Sequence, residues 1–217
     1  MNMKRSKRLL TGTYGISFEI EEPLNSELIK IYSEINRDYV SSYFIGKEYI
    51  PHITLYFFAA PIKNQKLMAS TAEKLYKKIK PKDLQIKSVE VGENRWILTV
   101  FERPNNIKKY HFEAMKLFNP LREGVLRKKY RNQRFFSQLT KLERSNLRKY
   151  GDRHSIKNYE PHISLACVES QSEAEEIVRK YKDRLIGRKV VISSLEVVRV
   201  IEGPNDRVIN IFSKKVE

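Results

Sequence analysis

The sequence predicts an α+β fold: hairpin-linked antiparallel strands in two sheets, with helices laid against them, in one domain of two lobes. Three observations predict it. Short stretches of period-two apolar alternation are interleaved with stretches of helical period, the residues between neighbouring strands have hairpin-turn chemistry, and the strand-and-helix order of the first half recurs in the second. No Gly-, Pro- or Ser-rich linker divides the chain.

Taken in order, Tyr14, Ile16, Phe18 and Ile20 alternate with small or polar residues as in a half-buried strand, which Pro23-Leu24-Asn25 stops. From Ser26, the positions of Leu28, Ile29, Ile31, Tyr32 and Ile35 form one helical face that runs out near Tyr39. A strand follows Pro51 over 53–58, and a helix over 63–80 ends at Pro81, whose ring cannot continue it. Strands over 84–91 and 96–102 flank Gly92-Glu93-Asn94, which favours antiparallel pairing. The second half then offers a helix over 107–121, a strand after Pro161, a helix over 172–185, and strands over 189–200 and 208–212. The last two are hinged at Glu202-Gly203-Pro204-Asn205-Asp206.

Composition bounds the function. The 217 residues are 41% hydrophobic and 31% charged with only 8 Gly and 8 Pro, which excludes collagen-like, low-complexity and disordered classes. No run of about 18 apolar residues is present to form a membrane-spanning helix. Cys167 is the single cysteine, so no disulfide within the chain is possible. Residues 1–12 read as a basic tail, their apolar run of two leucines being too short for a secretory signal, and a cytoplasmic monomer is expected. Domain 13–217 follows the tail.

Lys and Arg number 42 against 26 Asp and Glu, a formal charge of +16, so the surface should attract polyanions. The excess is localised. Between Arg122 and Lys157 there are twelve basic and three acidic residues, a net of +9, and Lys4, Arg5, Lys7 and Arg8 raise the share of these two segments to +13. The basic insert, about 122–157, interleaves Tyr130, Phe135, Phe136 and Tyr150 with its cations, a composition that suits phosphate contact and base stacking.

Of the four histidines, two sit in nearly the same phrase: Tyr49-Ile50-Pro51-His52-Ile53-Thr54-Leu55 and Tyr159-Glu160-Pro161-His162-Ile163-Ser164-Leu165. On a strand, side chains at i and i+2 share a face about 7 Å apart. His52 and Thr54 therefore face one way and Ile53 and Leu55 the other, and His162 and Ser164 are set likewise against Ile163 and Leu165. Two imidazoles and two hydroxyls converging from pseudo-symmetric strands suit a phosphodiester. A neutral imidazole takes a proton from the attacking oxygen, a protonated one gives a proton to the leaving oxygen, and the hydroxyls meet the charge on the non-bridging oxygens. Such a site needs no metal or cofactor.

In these motifs the chain resembles the two-histidine (2H) phosphoesterases, which include 2′-5′ RNA ligase-like proteins and RNA 2′,3′-cyclic phosphodiesterases. Their signature is one His-x-[Thr/Ser]-x in each lobe, carried here as His52-Ile53-Thr54-Leu55 and His162-Ile163-Ser164-Leu165. The resemblance takes in the first strand with Pro23 and the closing strand pair, and so covers most of the chain outside the tail and insert. It implies a bilobal fold around a central cleft, activity on 2′,3′-cyclic phosphates or 2′-5′ linkages of RNA and oligonucleotides, catalytic roles for His52 and His162, and phosphate binding by Thr54 and Ser164. Tyr56-Phe57-Phe58-Ala59 after the first motif departs from the Phe-Leu-Gly of the bacterial ligase-like branch.

Tyr56, two residues beyond Thr54, is expected on the same face as a substrate-stacking ring, with Tyr14 of the first strand a second candidate. Cys167, three residues after Ser164, is expected on the opposite face as a buried thiol. His111 reads as an ordinary helix residue and His154 as part of the basic surface. No Cys-x-x-Cys, His-Glu-x-x-His or P-loop pattern is present, so zinc and nucleoside-triphosphate chemistries lack their ligands. Two other functions fit the same composition: hydrolysis of cyclic oligonucleotide signals containing a 2′-5′ bond, and RNA binding without catalysis.

Overall fold

The computed structural model describes residues 10–43, 50–80, 84–201 and 207–216. The tail to Leu9, Tyr49, Pro81 and the hinge at 202–206 lie outside the described residues. In chain order the elements are β1 (Thr11–Ile20), α1 (Leu24–Asp38), β2 (His52–Pro61), α2 (Gln65–Tyr76), β3 (Leu84–Val91), β4 (Trp96–Phe101) and α3 (Asn105–Phe118). There follow α4 (Gln133–Ser137), α5 (Lys141–Tyr150), β5 (Ser164–Cys167), α6 (Gln171–Leu185), β6 (Lys189–Val190), β7 (Ile192–Ile201) and β8 (Arg207–Lys215).

The strands form two four-stranded antiparallel sheets, ordered β2-β1-β7-β8 and β5-β4-β3-β6, so β2, which starts at His52, and β5, which starts at Ser164 just after His162, each lie at the edge of their own sheet. Helices α2 and α3 pack on the first sheet, and α1 and α6 on the second. The outcome is an α+β fold of two sheets with flanking helices. Alternation in β1 produces it locally: Tyr14, Ile16, Phe18 and Ile20 are all at most 2% exposed, and burying each such side chain stabilises the fold by roughly 1.5–3 kcal/mol. Helix α6 starts at a capping box, with the Ser170 hydroxyl accepting from Glu173 N–H and the Glu173 carboxylate accepting from Ser170 N–H. Arg184 of α6 donates to Glu34 of α1 at 2.7 Å and Lys180 to Asp38 at 2.8 Å, tying the two helices together.

Two expectations need correction. The strand expected over 189–200 is two strands in different sheets: Val190 pairs with Leu84 in the second sheet, whereas Ile192 pairs with Ile20 in the first. Val190 and Ile192 are both buried and Val191 between them is 37% exposed, so an unbroken apolar run conceals a crossing from one sheet to the other. Consequently the lobes are not halves of the sequence. The β3–β4 hairpin belongs with the second motif, and β7 and β8 belong with the first.

The basic insert is a small folded unit with its own core of Tyr130, Leu139 and Leu147, against which Leu126, Phe135 and Phe136 pack. Tyr130 is buried, and Tyr150 packs against the main core. These rings, expected to stack on bases, are occupied in holding the insert together. Nor does Arg122 contribute to the surface. It is 1% exposed, and its guanidinium donates to Asn119 Oδ1 at 2.7 Å, Val125 O at 3.0 Å and Lys149 O at 3.3 Å. Gly151, at φ +74°, lies directly on that guanidinium, where a Cβ would come within 2.3 Å of Nε. Arg122 thus ties the start of the insert to the end of α5.

Candidate active site

The two sheets meet at an isolated antiparallel bridge between Ile53 and Ile163. Both isoleucines are fully buried. Because neighbours along a strand point to opposite faces, the residues flanking the bridge, His52 and Thr54 on one chain segment and His162 and Ser164 on the other, come to the opposite face together. All four are half-buried.

The motifs share a second feature that their sequences do not announce. In β2, Thr54 lies opposite Ser17 and Tyr56 opposite Ile16, which leaves Leu55 unopposed; in β5, Ser164 lies opposite Leu98 and Ala166 opposite Ile97, which leaves Leu165 unopposed. Each motif therefore ends in a β-bulge at its leucine, and the alternation of faces is reset there. Tyr56 consequently turns into the core instead of sharing the face of Thr54. It is 1% exposed, stacks on Phe58 at 4.6 Å, and donates its hydroxyl to Tyr150 O at 2.5 Å. Tyr14 is likewise fully buried, with its ring 5.9 Å from that of Phe58. Neither ring reaches the motif face. The same bulge returns Cys167 to the side of Ser164, opposite Trp96, where it is half-buried.

Each histidine bonds a carbonyl two residues before it: His52 Nδ1 to Ile50 O at 2.8 Å and His162 Nδ1 to Glu160 O at 2.7 Å. A carbonyl only accepts, so Nδ1 carries the hydrogen in both rings and Nε2 holds the lone pair of the neutral form. Burial lowers the affinity of both rings for a proton below the ordinary value of 6.5. For His52 the Ile50 carbonyl and the nearby Glu19 carboxylate work in the other direction. For His162 the Glu160 carbonyl opposes burial, but the positive charges of His52 and His154 reinforce it. His154 itself is exposed, as expected of a surface residue, yet it stands close enough to His162 to act on it.

Two residues outside the motifs fix this geometry. His111 of α3 is 1% exposed. Its Nδ1–H donates to Leu55 O at 2.5 Å, and its Nε2 accepts from Ile156 N–H at 3.1 Å. The Tyr159 ring lies flat on it at 3.8 Å and 2°, and the Tyr159 hydroxyl donates to Thr54 O at 2.8 Å. The carbonyls at the first bulge are thus held by a helix and by the segment that leads into the second motif. From the sequence, His111 looks ordinary. Its adjacency to α3 apolar positions Tyr110, Ala114 and Met115 was the available sign that it is buried.

Sequence reading also missed the polar row of the first sheet. His52 lies opposite Glu19, Glu19 opposite Ser194, and Ser194 opposite Lys215; one step along, Thr54, Ser17, Glu196 and Ser213 line up in the same way. Ser194 Oγ donates to Glu19 Oε2 at 2.6 Å, and Asn210 Nδ2 to Glu196 Oε2 at 2.5 Å. The alternation that identified the core of β1 already placed Ser17 and Glu19 on its other face.

Two antiparallel sheets with flanking helices, joined where the two His-x-Thr/Ser motifs meet, define a two-lobed α+β fold. The sequence matches no family model and no curated protein. Solved structures do match in fold. TT0787 of Thermus thermophilus aligns at a TM-score of 0.58 and 13% identity over 94% of this chain and 97% of that one. E. coli LigT aligns at 0.52 and 10% identity over 94% and 97%. A structure described as a phosphoesterase aligns at 0.50 and 10% identity over 94% and 98%.

Proposed function

We propose that the protein is a phosphodiesterase acting on RNA or oligonucleotides that carry a 2′,3′-cyclic phosphate end or a 2′-5′ linkage, with His52 and His162 as the acid–base pair. The bridge between Ile53 and Ile163 carries this reading, because it brings two imidazoles of like tautomer and two hydroxyls to one face. On a cyclic phosphate, one imidazole takes a proton from water as its oxygen bonds to phosphorus. The other, protonated, delivers its proton to the ribose oxygen as the P–O bond breaks. Thr54 and Ser164 donate to the non-bridging oxygens, whose charge grows in the transition state. LigT, whose fold this chain shares, has been solved with 3′-AMP, a ribonucleotide phosphomonoester. Exposed cations of the insert, among them Lys128, Lys129, Arg131, Arg134, Lys141 and Lys149, supply a surface for the phosphate backbone.

The test is turnover of a 2′,3′-cyclic nucleotide, of matched 2′-5′ and 3′-5′ oligonucleotides and of a cyclic oligonucleotide containing a 2′-5′ bond, with EDTA present. Hydrolysis of either of the first two supports the reading. RNA binding with no turnover of any substrate replaces it with a non-catalytic module, and turnover confined to cyclic oligonucleotides containing a 2′-5′ bond moves the substrate to that class.

A further inference from the structure

The two motifs are nearly equivalent in sequence, but their cross-strand neighbours are not. Opposite His52 stands Glu19 of β1. In the second lobe the β4–β5 pairing ends at Leu98 opposite Ser164, beyond which Thr99 N–H donates to Ile163 O at 2.9 Å and Ile163 N–H to Thr99 Oγ1 at 3.0 Å, and β4, Trp96–Phe101, contains no acidic residue. Directly opposed side chains in an antiparallel pair have Cβ atoms about 5 Å apart. His52 therefore has a carboxylate directly across from it, whereas the strand beside the second motif offers none.

Glu19 is held in this position. Ser194 Oγ donates to it at 2.6 Å and also lies 3.4 Å from Glu196 Oε1. Glu196 is 5% exposed, and both its burial and the charge of Glu19 favour its protonated form. His52 Nδ1–H is committed to the Ile50 carbonyl, so Glu19 acts on the imidazole through its field and not by replacing that bond. The charges around each ring differ accordingly. His52 faces Glu19 from β1, with Glu196 and Lys215 farther along the same sheet and His162 across the bridge. The charges that act on His162 are those of His52, His154 and Glu160, and the Glu160 carboxylate is engaged by Lys108 of α3 at 2.8 Å.

We propose that Glu19, fixed by Ser194 and set directly across from His52, is the positioning residue that makes His52 the general acid and leaves His162 the general base. This rests on the phosphodiesterase reading and adds to it a division of roles that the matching motifs leave open. A cation stabilised at His52 also raises the cost of a second one at His162, so the two rings are driven into opposite protonation states.

The experiment follows the four histidine ring signals by NMR titration, and the pH profile of kcat/KM, in the full chain and in Glu19→Gln, which removes the charge while keeping an acceptor for Ser194. The His52 midpoint is expected to fall by about half a unit or more. The basic limb of the rate profile, which reports the acid, should fall with it while the acidic limb stays in place. Ser194→Ala, which releases the carboxylate, should shift both readouts the same way by less, and serves alone if Glu19→Gln does not fold. An unmoved His52 midpoint, or a shift of the acidic limb instead, overturns the proposal. The two claims separate cleanly: turnover with an unmoved His52 counts against the role of Glu19 alone, whereas a moved His52 with no turnover of any phosphodiester counts against the reaction.

Discussion

At the scale of single residues, the site is two imidazoles whose Nδ1 atoms are spent on backbone carbonyls and two hydroxyls beside them. His52→Ala or His162→Ala should each lower the turnover rate by about 10²-fold or more while leaving RNA binding largely intact, as steady-state kinetics beside a binding assay will show. Thr54→Val and Ser164→Ala should each lower kcat by about 10²-fold, the loss expected when one donor to a charged transition state is removed. These four residues were legible because they repeat. Tyr56 was misplaced because a bulge at Leu55 is invisible to a period-two count, and Cys167 for the same reason at Leu165. Glu19 was legible as a polar-face residue of β1, but its tie to His52 exists only through strand pairing, which one sequence does not display.

At the scale of elements, the first bulge is held by α3 through His111 and by the approach to β5 through Tyr159. His111 accepts from Ile156 N–H on Nε2, so protonation removes a hydrogen bond inside the core. Burial lowers its proton affinity below 6.5 in the folded state, as it does for His52 and His162. The unfolded chain therefore binds protons more readily than the folded one. The contribution of these three rings to stability is complete above about pH 6.5 and is lost as pH falls through their lowered folded values. Urea midpoints measured from pH 8 to pH 5 should decline over this range, and His111→Gln, which preserves a donor and an acceptor without titrating, should flatten the decline. Tyr159→Phe should reduce stability by about 1 kcal/mol through the lost bond to Thr54 O. Element positions were largely legible from periodicity. The sheets were not: the crossing at Val191 and the pairing of β3 and β4 with the second motif depend on tertiary contacts between distant segments.

At the scale of the whole molecule, the charge excess of the insert is carried by residues outside the two motifs, although His154 of the insert stands close enough to His162 to act on it. The insert is a folded unit anchored by Arg122 and by Arg127, whose guanidinium lies 4.1 Å over the Phe57 ring of β2, so these two cations serve packing more than they serve a polyanion. Its outward cations are the ones proposed to meet RNA. Replacing Lys128, Arg134 and Lys141 together by Gln should weaken long-RNA binding and lower the salt slope of the binding constant by about 0.7 for each charge removed, with cleavage of a dinucleotide unchanged. The concentration of charge between 122 and 157 was plain in the sequence, but its division into anchoring and outward residues required the fold. Among the described residues no helix is long and apolar enough to cross a membrane. The central claim is metal-independent phosphodiester cleavage by a histidine pair, and the most direct measurement is hydrolysis of an oligonucleotide ending in a 2′,3′-cyclic phosphate, in EDTA, by the intact protein and by His52→Ala and His162→Ala. The account predicts turnover by the intact protein and a loss of about 10²-fold or more in each variant; activity abolished by EDTA, or unchanged in either variant, would contradict it.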